Sequence, residues 1–110
     1  MIVEVVTGAE ERPEARVVEI DDLSRLFLAL GQVTDEEAAE VLERSGLGRL
    51  QDGATAHLDA AALRAAAEPR AGTGDWPEQW DAMVASARAE GRLSADGATI
   101  TVSVQPAAGA

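Results

Sequence analysis

Cysteine, lysine, asparagine and tyrosine are all absent from this 110-residue chain. Without cysteine there are no disulfides, no thiol catalysis and no thiolate metal sites. Aromatic residues are also scarce, since only Phe27, Trp76 and Trp80 are present. The core must therefore be built from leucine, valine and alanine, which predicts a thin core with closely approaching helices.

Long apolar stretches are missing as well. No run approaches the roughly 18 apolar residues that a membrane span needs. The first residues, Met1 to Val5, contain no basic region of the kind that begins a signal peptide. We therefore expect a cytoplasmic protein with no membrane partner.

Acidic residues dominate the charge. The chain has 20 acidic and 9 basic residues, every basic one an arginine, and its formal net charge is −11. Such a charge keeps a protein soluble and repels nucleic acid and anionic membranes, although it attracts a basic partner. The abundance of alanine, arginine, glycine and aspartate indicates a GC-rich genome, such as that of an actinobacterium.

The first half of the chain predicts two strands followed by two helices. The β-branched segments 2–7 and 16–20 are typical of strands. Apolar residues then recur at helical spacing before Gly31, namely Leu23, Leu26, Phe27 and Leu30. A second helix is predicted to begin after Thr34, which forms a capping box with Glu37, and to end at Gly46.

The second half predicts a turn over 47–53, a strand over 55–58 and two more helices. Asp59 caps an alanine-rich helix over 60–67, and Pro69 stops it. The fourth helix begins near Asp75 and ends at Gly91, with Pro77 in its tolerated first turn. Asp96-Gly97 is a hairpin signal, and the alternation over 99–104 predicts a half-buried antiparallel strand.

These elements predict an α+β fold of about four helices packed on a small antiparallel sheet, with strands from both termini. The length fits a single domain, which we place at residues 1–105. Residues 106–110 are expected to form a flexible tail.

The two tryptophans are the most distinctive feature of the sequence. Trp76 and Trp80 lie four residues apart on one helical face, and tryptophan is frequent at binding hot spots. Trp80 shares its face with Met83 and Val84, which favours the core. Trp76 follows a glycine-containing loop, 71–74, at the start of its helix, so it fits a contact surface equally well. We predict Trp76 and Trp80 as partner-binding residues.

No combination of residues predicts catalysis, a metal or a cofactor. His57 is the single histidine, and Asp59 is better explained as a helix cap than as its orienting carboxylate. Asp52-Gly53 lies between helices, but it lacks the other ligands of a calcium loop. Asp35, Glu36 and Glu37 are explained by the dipole of a helix N-terminus.

Between Thr34 and Val104 the order of elements resembles a winged helix–turn–helix. Ala87 to Leu93, followed by Asp96-Gly97 and the strand 99–102, is similar to a recognition helix that continues into a wing. The resemblance implies a transcriptional regulator that binds DNA. However, the helix 75–92 carries four acidic and two basic residues, which favours protein contacts over phosphate contacts.

Three functions therefore stay open. The first is a non-enzymatic protein-interaction or accessory module that binds a protein partner or itself. The second is a small-ligand-binding protein or minor enzyme with a pocket of carboxylates and arginine, and a deep pocket containing His57 or clustered acids would favour it. The third is a winged-helix regulator, which would require an arginine-lined face on the helix 77–90.

Overall fold

The computed structural model describes residues 1–8 and 12–107. Over these residues the chain forms three α-helices and six strands, which join in one mixed sheet with the order β2-β1-β3-β6-β5-β4. The strands are β1 (Ile2–Thr7), β2 (Pro13–Val18), β3 (Phe27–Leu30), β4 (Gly48–Leu50), β5 (Thr55–Asp59) and β6 (Thr99–Pro106). The helices are α1 (Asp35–Ser45), α2 (Ala60–Ala67) and α3 (Trp76–Ala89), and a 3₁₀ turn, Glu68–Arg70, follows α2.

Three helix ends form as the sequence predicts. The Thr34 hydroxyl accepts a bond from the Glu37 amide and the Glu37 carboxylate accepts one from the Thr34 amide, so the capping box is confirmed. Gly46 ends α1 in the left-handed conformation, with φ of 75°. The Asp59 carboxylate accepts a bond from the Ala62 amide at 2.8 Å, which confirms it as the cap of α2.

The prediction of about four helices on a small antiparallel sheet is wrong. The segment expected as the first helix contains β3, which is parallel to β1 on one side and to β6 on the other. Leu28 and Ala29 are both buried although they point to opposite faces. All four residues of this strand, Phe-Leu-Ala-Leu, are apolar, and so short an apolar run fits a helix or a buried strand.

The resemblance to a winged helix also fails in the structure. The strand after Asp96-Gly97 is β6, which lies inside the six-stranded sheet rather than in a projecting wing. The turn itself forms, because the Gly97 amide donates to the Ser94 carbonyl at 2.9 Å and Gly97 has φ of 74°. Before the turn, Leu93 makes only an isolated bridge to Ile100. Gly48–Leu50, expected as a turn, is the edge strand β4.

The sheet is organised around β6. The first part of β6, Thr99–Ser103, pairs with β5, whereas its last residues, 104–106, pair with β3 on the opposite edge. Pro106 is thus part of the sheet, and the Ala107 amide continues the ladder with a 2.9 Å bond to Leu30. Residues 108–110, the rest of the expected tail, lie outside the described residues.

One face of the sheet carries the core. Its side chains include Val3, Leu28, Leu58, Ile100 and Val102, and they pack in one cluster with residues of all three helices. Helix α1 contacts β2 at one edge of the sheet and β4 at the other. It therefore lies across the gap between the two edge strands and protects both.

No helix in the described part of the chain is long and apolar enough to cross a membrane.

Candidate functional site

Trp76 and Trp80 lie inside the protein. Their rings stack with centroids 5.4 Å apart and an interplanar angle of 21°. Trp76 is 0% exposed and Trp80 is 4% exposed. The Trp76 indole N–H donates to the Ile20 carbonyl at 2.9 Å. Their partner-binding role stays a prediction, and in this structure they hold other residues in place.

What Trp76 holds is the connection between β2 and β3, residues 19–26. At its start, the Asp21 carboxylate accepts a bond from the Gly72 amide at 2.9 Å. Further on, the Met1 nitrogen donates to the carbonyls of Asp22 and Arg25. This connection is therefore fixed by α3, by the 71–74 loop and by Met1, although it contains no regular secondary structure.

A groove of about 530 Å³ separates this connection from α3. Its apolar lining includes Leu23 and Met83, both 8% exposed, together with Leu26. Polar and charged groups complete it: Asp21, Asp22, Ser24, Gln79, Ser86, Glu90 and Arg92. The volume falls within the range of small-molecule sites.

The charges of the groove are mostly acidic. The Glu90 carboxylate accepts a bond from the Arg92 guanidinium at 2.9 Å, so this arginine is already paired. The Ser24 hydroxyl and amide donate to Asp22 and hold the pKa of its carboxyl below the ordinary value. Arg25 and the Met1 ammonium also act on Asp22, but in the groove lining Asp21, Asp22 and Glu90 outnumber Arg92, which favours a positively charged ligand over an anion.

His57 is held by two side chains. Its Nδ1 lies 3.0 Å from the Thr101 hydroxyl and its Nε2 lies 2.6 Å from the Gln51 side-chain oxygen. A shallow depression of about 280 Å³ includes His57, Glu43 and Asp59. Both ring nitrogens are engaged, which fits the structural interpretation of this histidine. Within the described ranges, no three His, Asp or Glu side chains converge as metal ligands.

The second face of the sheet, which we call the outer face, was not anticipated from the sequence. In the register of the strands, Val18, Ile2 and Phe27 form an apolar row across β2, β1 and β3. All three are half-buried, and none belongs to the core cluster that the helices cover. The Arg25 guanidinium lies over the Phe27 ring, 5.4 Å from its centroid.

Next to the apolar row lies a charged one. Glu4 is opposite Arg16 and beside Ala29, and its carboxylate accepts a bond from the Arg16 guanidinium at 2.9 Å. Towards β6, β5 and β4 the outer face becomes polar, with Gln105, Ser103, Thr101, His57 and Arg49. In the sequence this face is indicated only by the short apolar run of β3, which also fits a helix.

Comparison of the chain with models of protein families, with curated proteins and with solved structures found no match.

Proposed function

We propose that this chain is a non-enzymatic protein-interaction module that binds its partner with the outer face of the sheet. The observation that carries the proposal is β3, a strand with parallel neighbours on both sides whose outer face is covered by none of the three helices. All-parallel sheets occur almost only where both faces are covered, and β3 with its two neighbours is the parallel part of this mixed sheet. A partner would supply the second cover over Val18, Ile2 and Phe27.

The composition of the outer face supports this role. The apolar row lies at one end of strands β2, β1 and β3, while an arginine stacked on an aromatic ring and the Glu4–Arg16 pair lie beside it. Aromatic and arginine side chains are enriched in protein interfaces. The half-buried state of the row keeps the free protein from presenting a large apolar patch.

Photo-crosslinking in the producing cell tests the proposal. A photoreactive residue at Gln105 lies on the outer face beside β3, and one at Ala85 lies on the exposed side of α3 as the matched control. We expect a discrete crosslinked product from position 105 that Arg16→Glu diminishes and that Arg44→Glu, the same charge change on α1, leaves intact. Equal products from both positions, or none from position 105, would overturn the proposal.

The groove supports a second candidate, a small-ligand-binding protein. This alternative is favoured by the 530 Å³ volume, the apolar floor and the carboxylates of Asp21, Asp22 and Glu90. A cation that carries a flat apolar ring fits these features. Benzamidine is therefore a suitable probe, and neutral benzamide is its control. We expect benzamidine, and not benzamide, to shift the Met83 methyl resonance, and Asp21→Asn to reduce the shift. Identical responses to the two compounds would exclude the cation site.

A further inference from the structure

We propose that the partner on the outer face is a second copy of this chain, and that two sheets pack face to face about a two-fold axis. This inference rests on the proposed function and names its partner. It is carried by the distribution of charge over the two sides of the molecule.

The helical side is strongly acidic. On α1, five exposed carboxylates accompany a single exposed arginine: Asp35, Glu36, Glu37, Glu40, Glu43 and Arg44. On α3, Glu78 and Asp81 are exposed with Arg88. With a net charge of −11 for each chain, two copies that approach by these surfaces repel one another.

The outer face is less acidic than the helical side. Among the described residues its strands carry Glu4, Glu14 and Asp59 with Arg16 and Arg49, and Glu19, Asp22 and Arg25 lie beside Ile2 and Phe27. Most of the excess negative charge therefore lies elsewhere in the chain, and the outer face is the surface on which two copies meet with the least repulsion. A basic partner protein would instead be attracted to the helical side.

The arrangement on this face is also compatible with self-association. An isologous interface brings the same patch of both subunits together, so the patch must be complementary to itself. The Val18–Ile2–Phe27 row supplies an apolar strip that packs on its own copy. The adjacent Glu4–Arg16 row supplies both signs of charge, so a carboxylate of one copy meets a guanidinium of the other. Two sheets that pack in this way keep their strands within about 30° of each other.

Sedimentation velocity over a concentration series tests the inference. We expect a monomer–dimer equilibrium for the unaltered chain. Arg16→Glu brings carboxylates of the two copies together at the interface. The repulsion between them should raise the Kd of the dimer at least about tenfold. Arg44→Glu removes an exposed ion pair on α1 and changes the net charge equally, so it should weaken the dimer much less.

The double variant Glu4→Arg with Arg16→Glu reverses the pair in both copies. It should restore the dimer, because the charges are again complementary within and between subunits. Circular dichroism would establish that each variant keeps its secondary structure. A monomer at concentrations up to about 1 mM would overturn the second copy as partner, and so would equal weakening by Arg16→Glu and Arg44→Glu. If the Gln105 crosslink then joined a different protein, the proposed interaction function would survive this failure.

Discussion

One hydrogen bond distinguishes the contributions of the two tryptophans to the stability of the fold. The two rings have similar burial, but Trp76 also donates to the buried Ile20 carbonyl. Within the described residues, the Trp80 indole has no equivalent bond. The two tryptophans therefore differ in hydrogen bonding rather than in exposed surface. This difference can be measured with substitutions that keep an aromatic ring at both positions.

Substituting each tryptophan by phenylalanine separates the two contributions. Trp76→Phe should lower the free energy of unfolding by about 1–3 kcal/mol more than Trp80→Phe, because it leaves the Ile20 carbonyl without a donor. Chemical denaturation of both variants measures the difference. Equal losses would show that the bond to Ile20 contributes nothing beyond ring packing.

A similar contrast exists between two glycines near the end of α1. A Cβ at Gly48 would lie 2.2 Å from the backbone oxygen of His57, whereas one at Gly46 would meet open space. Gly46 has φ of 75°, so its replacement costs only the strain of a left-handed alanine. At Gly48 the neighbouring strand also excludes a side chain, because β4 approaches β5 too closely to leave room for a Cβ.

At the scale of the elements, Gly48→Ala is therefore expected to loosen the edge strand β4. We expect a loss of about 2–4 kcal/mol for Gly48→Ala against about 1 kcal/mol for Gly46→Ala. Urea unfolding gives both values, and amide exchange of Leu50 reports on β4 directly. If Gly46→Ala were the more damaging change, the close approach of β4 and β5 would be refuted.

The turn before β6 should depend on pH through Asp96. The Ser94 hydroxyl and the Ala98 amide donate to this carboxylate, and they hold its pKa below the ordinary value. A carboxyl with a lowered pKa stabilises the fold above its unfolded-state pKa, and that contribution is lost as the pH falls through the folded-state pKa. At neutral pH the turn is fully stabilised.

An NMR titration checks this prediction. The Asp96 carboxyl should titrate below the ordinary aspartate range, and exchange protection of the Ala98 amide should decline over the same acidic interval. Ser94→Ala should move the pKa of Asp96 back towards its ordinary value. An ordinary pKa in the unaltered chain would contradict the bonding described for this turn.

The elements that could be predicted from the sequence are those specified by residues close to one another in the chain. The Thr34–Glu37 capping box, the Asp59 cap and the alternation over 99–104 each depend on a few neighbouring residues, and all three elements are present. By contrast, β3 depends on β1 and β6, which lie far away in the chain. Its four apolar residues fit a helix or a buried strand equally, and pairing over a long distance decides between them.

The candidate sites were less predictable for the same reason. The groove combines the 21–26 segment with α3, and the outer-face row combines residues from three strands. Neither set of residues is contiguous in the sequence, so no sequence motif could predict either site. Trp76 and Trp80 were visible because tryptophan is rare in this chain, but rarity does not distinguish a contact residue from one that supports a site.

For the molecule as a whole, the net charge predicts that the protein does not bind nucleic acid. Several arginines are already paired with carboxylates, among them Arg16, Arg44, Arg64 and Arg92. With a net charge of −11, we expect no measurable affinity for random duplex DNA at physiological salt. Fluorescence anisotropy checks this expectation, and micromolar binding would contradict it.

The position of β6 bears on how the protein is made. This strand follows every other described element in the chain, yet it lies between the β2-β1-β3 half of the sheet and the β5-β4 half. On a ribosome that adds roughly 5–20 residues per second, both halves emerge before the strand that unites them. The nascent chain therefore holds two unjoined half-sheets with open edges until Thr99–Pro106 has left the exit tunnel. A nascent chain arrested before Thr99 should be cut readily by protease, whereas one released after Ala107 should resist.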